Sequence, residues 1–315
     1  MNISKKAIMP FIVALTSVVS MAQPYYHIMK EVNGKLIEDT VYNGKDYNIK
    51  IDMVNEDKPD DAIGNKITVE GYDCYDSKFK RSFYFTNKGN LYYDIVDKRF
   101  GFEKSQLDYP KGDYTNAHCG HFNWHKDINE CIYSYYLRGS IGWLNATETD
   151  FYIANPDNLG KLQNDLGYER WAVLSYCEWD YVLYTLGEVG WSVNGQTCFL
   201  IDATPNKSLL TELRNKNNGN PRNLSIEEFK SLEAQGLVCL PACGYRPVNV
   251  NNGFQEQGYE GYYWSCTPSS TDWHDAWAMR FRRYYSRGNY YYDRKMVDEG
   301  RVEGYAVRLV ILADD

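Results

Sequence analysis

Three groups of side chains in this sequence are of types that can do chemistry. The first is His118-Cys119-Gly120-His121, followed by His125 and Cys131. Imidazole and thiolate are zinc ligands. Two of these ligands are adjacent in a loop-like stretch, however, and the spacing fits no standard finger. The residues read as a polar loop with one structural cysteine, and no metal or other cofactor is expected. The second group is the paired carboxylates, such as Glu227 and Glu228. They fall in the first turn of a helix, where the helix dipole accounts for them. The third is the stretch Arg282 to Lys295, RRYYSRGNYYYDRK, with five tyrosines between Tyr284 and Tyr292. Tyrosine and arginine together suit recognition: broad rigid rings, a hydroxyl, and directional donors. Motifs for a nucleophile elbow, a phosphate loop or a dinucleotide site are absent from the sequence.

The elements that must position this stretch lie in the last part of the chain. Gly236 to Pro247 is a short apolar run broken by Pro241 and Gly244, a buried strand entering a turn. From Ala276 to Arg283 the residues alternate, with Trp277, Met279 and Phe281 on one side and Ala278, Arg280 and Arg282 on the other. That is the period of a strand. A second alternation sets Tyr305, Val307, Leu309 and Ile311 against Ala306, Arg308 and Val310. The tyrosines sit between these two strands, as a loop or hairpin tip.

Upstream, Ser175-Tyr176-Cys177-Glu178 and Ser225-Ile226-Glu227-Glu228 have the form of capping boxes, so each opens a helix. Trp179, Val182, Leu183 and Leu186 recur at helical spacing after the first. Phe229 and Leu232 do so after the second, which Gly236 ends. A further helix is expected over Pro156 to Leu166, a strand over Thr197 to Ile201, and a polar loop over Asn215 to Asn223. Residues 1–22 read as a secretory signal peptide: Lys5 and Lys6, an apolar run from Ala7 to Val19, then Ser20-Met21-Ala22 before a cut at Gln23. The protein is therefore expected to be exported to the periplasm, the cell surface or the medium. Residues 23–79 form a small β-rich N-terminal module or an extended arm of the main domain. Tyr25–Val32 and Lys35–Glu38 flank the hairpin signal Asn33-Gly34. Further strands are expected at Tyr47–Ile51 and Ile67–Val69. Residues 80–315 make the main, α+β domain.

The formal charge of −8 over 315 residues argues against wholesale nucleic-acid binding. Between Trp273 and Arg308, though, eight Lys/Arg outnumber five Asp/Glu. No segment after the leader has the length of a transmembrane helix. The eight cysteines are an even set, which export permits to pair. Cys119–Cys131 would close a short loop, whereas Cys198, Cys239 and Cys243 stand in apolar runs where a small buried hydrophobe serves.

Three segments in order carry a resemblance: Leu240-Pro241-Ala242-Cys243-Gly244-Tyr245-Arg246, Gly261-Tyr262-Tyr263-Trp264-Ser265-Cys266-Thr267 and Gly304-Tyr305-Ala306-Val307-Arg308-Leu309-Val310. Phe83 to Tyr93, Phe122-Asn123-Trp124 and Arg170 to Trp179 fit the same pattern. The chain resembles the C-type lectin-like proteins of gut Bacteroidales. These are related to the Fibrobacter major paralogous domain, the formylglycine-generating-enzyme fold and the variable proteins of diversity-generating retroelements. The resemblance implies a C-type lectin-like fold whose rigid core displays a variable C-terminal surface, in a non-enzymatic binding protein or adhesin. Carried over by residue, the ligand-binding positions are Trp273, His274 and Asp275, then Arg283, Tyr284, Tyr285, Ser286, Arg287, Asn289, Tyr290, Tyr291 and Tyr292. Trp264, Trp277, Phe281, Val307 and Leu309 are the implied scaffold. The partner implied is a protein or glycan on a cell or phage surface. The alternative is an enzyme of the formylglycine-generating group, a cysteine/copper oxidase. Cys266 stands at a comparable place, but no second cysteine follows it, and one thiolate does not make a two-sulfur copper site. Trp273-His274-Asp275 is also similar to the Trp-Asn-Asp triplet of calcium-dependent lectins. The companion loop is missing, and the six or so oxygens a hard cation needs cannot be assembled.

Overall fold

The computed structural model describes residues 27–32, 35–41, 48–51, 58–72, 78–110, 118–125, 127–128, 151–167, 170–247, 253–269 and 274–313. The leader, Cys74, Cys131 and Trp273 lie outside them, and with them the expected cleavage site and the Cys119–Cys131 pair.

In chain order the strands and helices are β1 (His27–Val32), β2 (Lys35–Val41), β3 (Asn48–Ile51), β4 (Ala62–Tyr72), β5 (Lys78–Thr86), β6 (Leu91–Asp94), β7 (Arg99–Phe102), β8 (His118–Cys119) and α1 (Pro156–Leu166). Then come β9 (Trp171–Val173), α2 (Tyr176–Tyr181), β10 (Gly187–Val193), β11 (Gln196–Asp202), α3 (Ser208–Lys216), β12 (Asn223–Leu224) and α4 (Ile226–Glu233). The last five are β13 (Leu237–Pro241), β14 (Glu260–Pro268), β15 (Asp275–Ser286), β16 (Asn289–Gly300) and β17 (Leu309–Leu312). The class is α+β. Both expected capping boxes form: Ser175 and Ser225 accept from the amides of Glu178 and Glu228, whose carboxylates reach back to the cap amides. The first helix then widens into a π turn over Val182–Leu186. Of the stretch expected as a polar loop, Asn215 and Lys216 extend α3 and Asn223 pairs in β12, leaving 217–222 as the connection.

Four sheets are present among the described residues. The one that matters for function has the order β14-β15-β16-β1-β2. The others run β12-β10-β11-β13, β3-β4-β5-β17-β9 and β7-β6-β8. Strands from residues 23–79 therefore share sheets with the C-terminal strands: β1 lies on β16, with His27 opposite Arg294 and Lys30 opposite Tyr291, while β4 lies on β5. Ile63, Ile67 and Val69 of β4 belong to the same apolar cluster as Met279 and Phe281 of β15.

Strand β15 is covered by a core on each side. Met279 and Phe281 face one cluster, with Trp179, Phe199, Leu240 and Tyr263, and Trp277 packs against it half-buried. Ala276 and Ala278 face a second cluster, with Trp124, Trp264, Tyr305, Val307 and Leu309. The sequence alternation names these sides correctly. It does not announce that both would be buried, because the small alanines that admit the second cluster read as ordinary polar-side positions. Tyr305, Val307, Leu309 and Ile311 likewise meet the second cluster, and Ala306 and Val310 the first.

The motif segments meet one another around Trp264. Its indole N–H donates to Phe122 O (2.6 Å) and its amide to Ala306 O (3.0 Å). Trp179 donates to Trp264 O (3.2 Å), and Trp124 to Ser265 O (3.1 Å). Arg246 exchanges backbone hydrogen bonds with Gly304 and gives its Nη2 to Asn123 Oδ1 (3.0 Å). Two motif glycines have steric reasons. Gly261 lies under the Phe281 ring, so a Cβ there would sit 2.3 Å from a ring carbon. Gly244, at φ +67°, would place a Cβ 2.1 Å from Gln255 O.

Candidate functional site

Strands β15 and β16 form one long hairpin. Twelve cross-strand pairs run from Asp275–Gly300 at the base to Ser286–Asn289 at the tip. The two turn residues, Arg287 and Gly288, have φ of +50° and +82°, the left-handed pair that a primed hairpin turn requires. The tyrosines are thus not a loop. They are the last rungs of the ladder: Arg283 opposite Tyr292, Tyr284 opposite Tyr291, Tyr285 opposite Tyr290.

Directly opposed residues share a side of the ribbon, so this register divides the predicted positions in two. Arg283, Tyr285, Tyr290 and Tyr292 continue the Phe281 side. Tyr284, Tyr291, Ser286 and Asn289 continue the Ala278 side. On the Phe281 side Tyr285 is 65% exposed and Tyr290 41%, and their rings meet edge to face with centroids 5.1 Å apart. The Arg283 guanidinium lies over the Tyr290 ring at 4.1 Å, close enough for a cation–π contact. Tyr292 is buried and belongs to the first core cluster, so it is scaffold and not a contact position. The strand runs inward from the tip, and its third tyrosine falls where the core begins. On the Ala278 side Tyr284 and Tyr291 stack at 5.4 Å, half-buried, with the Arg282 guanidinium over Tyr284 at 4.4 Å.

One residue of this surface goes unmarked by sequence reasoning. Tyr259 is 58% exposed, and its carbonyl accepts from the Arg283 amide (2.8 Å). It stands in the turn just before β14, where its own amide donates to Glu256 O (3.0 Å). No strand period marks it, because it lies in a turn outside β14. Tyr259, Tyr285 and Tyr290 are three of the five large apolar side chains that stand exposed among the described residues; Tyr285 and Tyr290 meet at the ribbon tip with Arg283 over Tyr290, and the Tyr259 backbone bonds the Arg283 amide.

His274 is exposed and Asp275 half-buried, at the opposite end of β15 from the tip. Eleven strand steps at about 3.3 Å each separate Asp275 from Ser286, roughly 35 Å. His274 and Asp275 are therefore not brought together with the tyrosines that the resemblance joins to them.

The histidines point to separate partners. His118 Nε2 is 3.1 Å from Asp94 Oδ2 and its ring stacks on Tyr92. His121 is buried, 3.3 Å from Cys243 O and stacked on Phe254. Burial and the nearby Arg246 charge hold its pKa down to about 3, so it is neutral. His125 Nδ1 accepts from the Asp127 amide. These rings are fixed by the fold one at a time.

A family profile described as a domain of unknown function (DUF8237) matches residues 209–310. That span runs from α3 through both halves of the ribbon to β17. No curated protein and no solved structure matches the chain.

Proposed function

We propose that this chain is an exported, non-enzymatic binding protein of C-type lectin-like fold that grips a protein or glycan on a cell or phage surface with the outer end of its β15–β16 ribbon. The observation that carries the reading is the exposure of Tyr259, Tyr285 and Tyr290, with Arg283 lying over Tyr290 and its amide bonded to the Tyr259 carbonyl. Large rings held on paired strands lose little freedom when a partner covers them, and the arginine adds directional donors. Aromatic and arginine anchors of this kind dominate binding energy in interfaces. The base of the same ribbon is clamped between two cores, so the tip is offered on a rigid support. The convergence of the motif segments on Trp264 supports the lectin-like resemblance, and the leader-like start of the sequence supports export. Among the described residues no helix is long and apolar enough to cross a membrane.

The test is a variant with Tyr259, Tyr285 and Tyr290 all changed to Ala. Each residue is exposed, so the melting temperature is expected to stay within a few degrees of wild type. Capture of surface components from bacterial and host-cell extracts is expected to be abolished. A folded triple variant that captures the same components as wild type would remove the site.

A further inference from the structure

The opposite side of the ribbon carries a second, different arrangement. Going inward from Tyr284 and Tyr291, the Ala278 side presents Arg282 opposite Asp293, then Arg280 opposite Lys295. On the neighbouring strand Glu260 and Tyr262 stand opposite Arg282 and Arg280. The Arg282–Asp293 pair is satisfied, with Arg282 Nε donating to Asp293 Oδ2 at 2.8 Å. Glu260 accepts the Tyr262 hydroxyl at 2.7 Å. Arg280 is different. It is 8% exposed, and neither its Nε nor its Nη2 has a hydrogen-bond partner among the described residues. The Asp293 carboxylate approaches Nη2 only to 3.5 Å, through the oxygen that Arg282 already holds, and that distance is beyond a normal charge-assisted bond.

Nε and Nη2 form one edge of a guanidinium, the two-pronged edge that takes both oxygens of a carboxylate. An almost buried arginine whose whole edge makes no hydrogen bond, and meets only a loose ion pair at Nη2, is a costly feature for folding. The cost is compounded by Lys295, a like charge directly across the ladder, and the Asp293 and Glu299 carboxylates offset part of it. Burial, then the Arg280 charge, lowers the pKa of the Lys295 ammonium. Local conflicts of this kind, retained in an otherwise consistent strand pair, mark binding positions.

We propose that Arg280 and Lys295 form a carboxylate-binding site on the Ala278 side of the ribbon, with Arg280 holding the two oxygens side-on and Lys295 closing over them. The site is separate from the tyrosine patch and does not rest on it. A single negative charge is the ligand that fits, because Asp293, Glu260 and Glu299 surround the pair and repel a dianion. Glu299 is itself held toward its neutral form, mainly by burial. Tyr262, stacked on Tyr305 at 4.7 Å, walls the site on the β14 side. The chemistry that fits is a uronic-acid sugar or a peptide C-terminus, both of which carry an exposed monoanionic carboxylate.

Titration calorimetry on the full chain tests this, with acetate, D-glucuronate and an N-acetylated dipeptide as probes. Acetamide, glucose and the amidated dipeptide serve as neutral counterparts, and phosphate is added at matched ionic strength. At least one acid is expected to bind about tenfold or more tighter than its neutral counterpart, the discrimination a bidentate charged contact supplies. Which acid prefers the site distinguishes sugar from peptide. Arg280→Lys keeps the charge and loses the fork, so that preference should fall about tenfold. Lys295→Met, at a half-exposed position, should weaken every acid several-fold without affecting folding. The tyrosine triple variant should retain the preference. The proposal is overturned if no acid outcompetes its neutral counterpart, if both Arg280→Lys and Lys295→Met bind as wild type does, or if phosphate binds as tightly as the best acid.

Discussion

Asp180, on the buried helix α2, is 3% exposed, and its Oδ1 has no hydrogen-bond partner among the described residues. Burial pushes its pKa from 3.8 up to about 8. In the folded protein the group therefore keeps a proton that the unfolded chain gives up above pH 4. Where the native state binds more protons than the unfolded one, stability falls as pH rises, here through the window from about 4 to about 8. The loss across that window is on the order of a few kcal/mol. Asp180→Asn removes the titration, so its denaturant midpoint should exceed that of wild type at pH 8 and converge toward it at pH 5. Parallel midpoints at both pH values would show that Asp180 does not hold its proton. Nothing in the sequence singles this carboxyl out. Its neighbour Glu178 is equally buried but is answered by Arg81 at 3.0 Å and by the cap amide. The difference between the two is set by residues far away in the chain. By contrast the parity of residues 276–282 was readable, because a strand's side-chain alternation is a local property. Tyr292, a contact position by the resemblance, is buried in the first core cluster for a related reason: a tyrosine cluster does not mark the rung at which a strand passes into the core.

At the level of the element, the helices and the turn were legible to different degrees. Capping boxes are written within four residues and both formed as spelled. The hairpin tip was legible as a tip, but its arms reach the tyrosines themselves, because the rings pair across the ladder and so belong to strand. The turn gives an element-scale prediction. Arg287 holds φ +50° without being glycine or asparagine, at a cost of about 1 kcal/mol for an ordinary side chain. Arg287→Asn should therefore raise stability by roughly 0.5–1 kcal/mol, and Gly288→Ala should lower it by a similar or larger amount. Thermal unfolding of the two variants reads both signs. Asn leaving the melting temperature unchanged while Ala is tolerated would contradict a left-handed pair at this turn.

At the scale of the whole molecule, the decisive pairings are the ones least visible in the sequence. That β1 would lie on β16, joining residues near position 30 to residues near position 291, has no local signature. Nor has the placing of β15 between two cores. The same long-range geometry sets the reach of the binding surface. The resemblance groups Trp273, His274 and Asp275 with the tyrosines, yet the ribbon holds His274 and Asp275 at its base and Tyr285 and Tyr290 at its tip, roughly 35 Å apart along the strand. A sugar or a short peptide spans a fraction of that length. A protein partner large enough to cover both ends would have to bury most of the ribbon, including rungs that the two cores already cover. The tip and the base are therefore expected to act independently, as positions this far apart do when no partner is shared. His274→Ala, at an exposed position, should change the affinity for a ligand captured by the tip by no more than about twofold. The Tyr259, Tyr285 and Tyr290 triple substitution should abolish that capture. Equal loss in both variants would mean that one partner does cover the whole ribbon. Loss in His274→Ala alone would move the contact to the base, and the tip would then be an exposed aromatic end without a ligand.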